Sequence, residues 1–170
     1  MQEEFLPILR SLKENIEEVI APLEAAQLDF HGENITNTQN GKDLIMGELT
    51  MVVLILTSAD GIISPGELTL LNDMRHMVYR FGVPELGSSD YFELSKKFLE
   101  QYPKGIFTLD HKPASVRWLL EYDEKNGTEF AEKARTIFNQ FAEAIVIADK
   151  DKGQIETIVL ENFKDVLNAE

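Results

Sequence analysis

A nine-residue pattern occurs twice in this chain. Ala59-Asp60-Gly61-Ile62-Ile63-Ser64-Pro65-Gly66-Glu67 is matched by Ala148-Asp149-Lys150-Asp151-Lys152-Gly153-Gln154-Ile155-Glu156. Both read Ala-Asp, six residues, Glu. Both follow an apolar run, Met51–Leu56 and Ala144–Ala148. Each then leads into apolar residues at helical spacing: Leu70, Leu71 and Met74 after Glu67, and Val159, Leu160 and Phe163 after Glu156. A repeated helix–acidic loop–helix unit predicts an all-α domain with pseudo-two-fold halves. It also places two pairs of carboxylates at equivalent positions, and carboxylates in short loops are how proteins hold hard cations.

The rest of the chain supports the helical reading. Phe5, Leu9, Leu12, Ile16, Val19, Ile20 and Leu23 recur at three- and four-residue steps, predicting an amphipathic N-terminal helix within residues 1–30. Pro7 fits its first turn, and Pro22 is expected to end or kink it. Residues 31–41, with Asn40-Gly41 as a turn signal, read as a linker to a helical domain over 42–170. Next comes a largely apolar, central helix over Lys42–Ala59. Ser64, Pro65 and Glu67 carry the signature of a helix N-terminus with a capping box. Further helices are expected from Ser88 or Ser89, from Lys112-Pro113 to Asn126-Gly127, from Thr128 to Ala148, and from Gln154 to Leu167. The apolar face of the long helix ending at Ala148 is assigned to Phe130, Ala134, Ile137, Phe138, Phe141, Ile145 and Val146. No segment alternates with a period of two, so the expected fold is a bundle of about seven helices.

Composition narrows the function classes. At 170 residues and 44% hydrophobic, the chain suits one domain with a real core. The net charge of −14 repels phosphate backbones, which argues against nucleic acid and for cations or basic protein surfaces. There is no cysteine, so disulfides and thiolate metal sites are excluded. The longest apolar run is far short of the roughly 20 residues that span a bilayer, and the Met-Gln-Glu-Glu start is unlike a signal peptide. The expectation is a soluble cytoplasmic protein with no membrane insertion.

The acidic loops admit two readings. In one, each Asp closes a turn and each Glu caps the following helix. In the other, Asp60 with Glu67, and Asp149 and Asp151 with Glu156, bind Ca2+ or Mg2+, with water completing the shell. A carboxylate at a helix C-terminus opposes the macrodipole by about 0.3–1 kcal/mol, so Asp60 and Asp149 call for something that compensates. Asp151 has Ile62 as its counterpart, so the second loop is the tighter of the two expected sites. An EF-hand is rejected, because its twelfth loop position would fall on Leu160, which has no carboxylate.

These residues bring the chain close to a known family. Ala59-Asp60-Gly61-x-Ile63-Ser64-x-x-Glu67 and the second copy, Ala148-Asp149 to Glu156, resemble the TerB family, the tellurite-resistance-associated domain. The resemblance covers Asp43 to Leu167 and leaves the N-terminal helix outside. It implies an all-helical domain with pseudo-two-fold halves, a negative surface and a cation-linked sensing or scaffolding role in tellurite and related stress responses. Asp60, Glu67, Asp149 and Glu156 are the acids it carries over. The second copy departs at Lys150 and Gly153, which stand where the first has Gly61 and Ser64.

Other constellations carry less. Asp73 and His76 share a helix face, but His31, His76 and His111 have no zinc spacing. Asp110-His111 has no nucleophile motif to serve, and no glycine-rich phosphate loop is present. The expectation is a non-enzymatic module without an organic cofactor, binding divalent cations, protein partners or a second copy of itself. A metal-free scaffold is the alternative, and a metal-dependent hydrolase the remote one.

Overall fold

The computed structural model describes residues 3–29, 40–57, 62–80, 83–102, 107–148 and 154–169. Among these residues, a 3-10 turn at Glu3–Phe5 is followed by seven helices: α1 (Leu6–Asp29), α2 (Gly41–Leu56), α3 (Pro65–Tyr79), α4 (Ser88–Gln101), α5 (Ala114–Asn126), α6 (Phe130–Ala148) and α7 (Gln154–Asn168). Among the described residues there is no strand, so the fold is all-α. No helix among them is long and apolar enough to cross a membrane.

The sequence repeat reappears in the helix boundaries. α7 begins and ends 89 residues after α3 (154 against 65, 168 against 79), and α6 begins 89 residues after α2 (130 against 41). The first unit is α2–α3 and the second α6–α7.

Local chemistry sets most helix ends. The Asn40 side chain accepts from the Asp43 N–H at 2.8 Å and starts α2. The Gly41 N–H donates to Glu24 Oε1 at 3.1 Å, tying the end of α1 to the start of α2. α5 ends at Gly127, whose φ of 66° is the left-handed conformation that glycine adopts freely. α6 starts on a borrowed cap. The Asp123 carboxylate accepts from the Phe130 and Ala131 N–H groups at 2.9 and 2.7 Å, and Thr128 donates to it at 2.6 Å. Thr128 therefore supports the cap, and Asp123 supplies it.

Three expectations need correction. α1 does not end at Pro22 but continues to Asp29. The missing N–H and the ring clash cost about 3 kcal/mol in a helix interior. Leu23 and Ala26, both buried beyond it, offset that cost at about 1.5–3 kcal/mol for a leucine-sized side chain. Val146, assigned to the apolar face of α6, is 48% exposed, and Ala144 and Ile145 carry the buried stripe there. α4 is capped by neither Ser88 nor Ser89. Its N-cap is Gly87, whose N–H donates to the Asp90 carboxylate at 2.8 Å.

One core joins the helices. α1 packs along α6 and α5 and also touches α2 and α3; its Phe5, Leu9, Leu12, Ile16, Val19 and Leu23 lie in the same cluster as Leu49, Leu71, Trp118 and Phe141. The N-terminal helix is thus part of the core. α4 leans chiefly on α2, and α7 on α6.

Candidate functional site

The N-terminus of α3 realises the predicted capping box. The Ser64 hydroxyl accepts from the Glu67 N–H at 3.2 Å, and Glu67 Oε2 accepts from the Ser64 N–H at 3.1 Å. Pro65 occupies the first turn, where its missing N–H costs nothing. Glu67 is only 3% exposed. Its carboxylate sits against the positive end of the helix dipole, which favours the charge.

This terminus abuts the other repeat unit. A Cβ added to Gly66 would overlap the Ala148 carbonyl oxygen and lie 2.9 Å from its carbon. Only glycine allows that approach, and the second unit has Ile155 at the equivalent position. The carbonyl end of α6 therefore meets the N–H end of α3, an arrangement of opposite partial charges. Ala148, the residue before Asp149, touches Gly66, the residue before Glu67.

The predicted ligands divide as follows. Glu67 is buried in the capping box, and Glu156 is half-buried in the first turn of α7. Asp60, Asp149 and Asp151 lie outside the described residues. Among the described residues, no group of three or more His, Cys, Asp or Glu side chains could hold a metal ion.

A second polar centre escaped sequence reasoning. Glu48, in α2, is fully buried. Its Oε1 accepts from the Tyr102 hydroxyl at 2.9 Å and from the Ser115 N–H at 3.1 Å, and its Oε2 from the Ser115 hydroxyl at 2.5 Å. The Tyr102 oxygen accepts in turn from the Ala114 N–H at 2.8 Å. Pro113, the N-cap of α5, makes no side-chain bond, so Glu48 and Tyr102 satisfy α5's first N–H groups from outside. Burial pushes the Glu48 carboxyl up to about 7, against the opposing pull of the Ser115 and Tyr102 hydrogen bonds and the Arg117 charge. The Tyr102 hydroxyl is pushed up by burial and by the Glu48 charge. The available signal was a lone acid among Leu44, Ile45, Leu49 and Val52 on a helix otherwise built for the interior.

The two described histidines, His76 and His111, have ordinary partners. His76 Nε2 hydrogen-bonds the Val83 carbonyl at 3.0 Å, and His111 Nδ1 the Thr108 hydroxyl at 3.0 Å. Asn72 clamps the chain before α4, donating to the Leu86 carbonyl and accepting from the Leu86 N–H, each at 2.9 Å. It also accepts from the Tyr91 hydroxyl at 2.8 Å.

No family model, curated protein or solved structure matches the chain.

Proposed function

We propose that the chain is a non-enzymatic acidic module that binds divalent cations, Ca2+ or Mg2+, through the loops of its repeat, and couples them to a protein partner or a second copy of the chain. The observation that supports this is the contact between Gly66 and Ala148. It brings the segment before Asp149 against the segment before Glu67, with the carbonyl end of α6 at the junction. Hard cations take carboxylate and backbone carbonyl oxygens together, and the net charge of −14 raises their local concentration. The TerB resemblance supplies the physiological setting in this reading, the response to tellurite and related stress.

The metal-free scaffold is the second reading. It is favoured by the commitment of Glu67 to the capping box, which leaves less of that carboxylate for a cation.

Calorimetric titration of chelator-stripped protein with Ca2+ and Mg2+ separates the two. The cation reading expects saturable heat, reduced in Asp60→Asn and reduced further in Asp149→Asn, because the second loop also carries Asp151. No heat, together with a melting temperature indifferent to millimolar cation, leaves the acids as helix caps and sinks this reading.

A further inference from the structure

At the opposite end of α3 from the capping box, a half-open cavity of about 490 Å3 lies between α2, α3 and α4. Met46, Tyr79, Tyr91, Leu94 and Phe98 give it an apolar wall, and Arg75 and Lys97 line it as well. That volume falls within the range of about 300–1,000 Å3 typical of small-molecule sites. Gly47 lets the wall close tightly, since a Cβ there would overlap the Phe98 ring.

The cavity's polar groups are unequally satisfied. The Tyr79 hydroxyl donates to Asp43 Oδ1 at 2.5 Å and the Tyr91 hydroxyl to Asn72, so neither phenol has a free proton to offer. Asp43, the one acid of the lining, is partly occupied by Tyr79. Arg75 is different. Its Nε is buried without a hydrogen-bond partner, and among the described residues the guanidinium has no ion pair. It lies over the Tyr79 ring, 5.9 Å from the centroid. Lys42 lies 5.8 Å from the same centroid. Lys97, exposed at the rim, also lacks an ion pair among the described residues.

An unpaired buried donor is costly, and Arg75 and Lys97 give this wall a local positive charge within a chain of net charge −14. A cationic ligand fits poorly, because the Tyr79 ring already faces Lys42 and Arg75. We infer that this cavity is a binding site for an organic carboxylate with an apolar body, its carboxylate pairing with Arg75 and Lys97 and its body lying against Met46, Leu94 and Phe98. Leu94, 43% exposed, then has a partner for its apolar surface. The site is independent of the proposed cation loops and stands or falls without them.

Decanoate is the probe, titrated against the full chain and followed by calorimetry and backbone amide shifts. Saturable binding below about 1 mM is expected, with shifts centred on Met46, Tyr79, Leu94 and Phe98. Arg75→Gln should weaken it about tenfold, the scale of one lost charge-assisted hydrogen bond. Lys97→Glu alters an exposed side chain, leaves the melting temperature unchanged and should also weaken binding. Butyrate, which has the charge without the body, and decyltrimethylammonium, which has the body with the opposite charge, should each bind at least about tenfold less tightly. Absence of saturable decanoate binding overturns the proposal. So does binding that Arg75→Gln and Lys97→Glu both leave intact, or equal affinity for the cationic analogue. If Arg75→Gln does not fold, Lys97→Glu and the analogues decide.

Discussion

The two repeat units share a sequence pattern and three of their four helix boundaries in register, yet they occupy unequal places. α3 is pressed between α1, α2 and α6, whereas α7 leans mainly on α6. Glu67 is buried in a reciprocal cap, and Glu156 is half-buried. Leu70 is fully buried, and its counterpart Val159 only partly. The buried acid Glu48 of α2 corresponds to Ile137 of α6, an ordinary core residue. A duplicated local pattern thus specifies two similar helix pairs. What each pair is worth depends on how many neighbours cover it.

That contrast can be broken most severely at the equivalent apolar positions. Leu70→Ala should cost about 2–5 kcal/mol, the range for emptying a buried leucine site, and Val159→Ala about 1 kcal/mol. Chemical denaturation measures both; equal losses would mean that the two units are equally covered.

Glu48 sharpens the comparison through pH. Its folded carboxyl sits near 7 against an ordinary value of 4.5, so the folded state holds the proton more tightly. The stability it contributes is fully present below about 4.5, falls as pH rises through that interval, and is lost above about 7, a change on the order of 3 kcal/mol. Glu48→Gln should flatten the stability profile between those pH values, while Ile137→Val leaves its slope unchanged. A profile of unchanged slope in Glu48→Gln would remove this carboxyl as the source.

Gly66→Ala tests the joint between the units. The obstructing group is backbone, which cannot swing aside as a side chain would, so a loss of about 2–3 kcal/mol is expected. Loss of Ca2+ response in the same variant would tie the joint to the proposed function. The smallest effect belongs to the acids themselves. Without cation, Glu67→Ala should cost about 1–2 kcal/mol, because the Ser64 N–H loses its partner, and Glu156→Ala less than about 0.5 kcal/mol. Thermal melts of the two variants, with and without Ca2+, show whether either acid has a role beyond its helix end.

Much of the candidate site could be read from the sequence as far as its local chemistry. Ser64, Pro65 and Glu67 lie within four residues of one another, so their capping box needs no distant partner. The Arg75 cavity offered no such signal. Arg75 and Tyr79 come from α3, Met46 and Gly47 from α2, and Leu94 and Phe98 from α4, and no spacing rule links these three segments. Glu48 was visible as an anomaly in an apolar helix, but its partners Tyr102 and Ser115 lie 54 and 67 residues away.

The sequence by itself determined the helical class, the repeat and the α3 cap, because periodicity and capping act over one or two turns of chain. The tertiary structure alone decided that α1 runs past Pro22 into the core, that Gly66 meets Ala148, that Glu48 caps α5, and that Arg75 faces an apolar cavity unpaired. Each of these depends on which surfaces close-packed helices bring together, and that is fixed by the summed burial of the whole core.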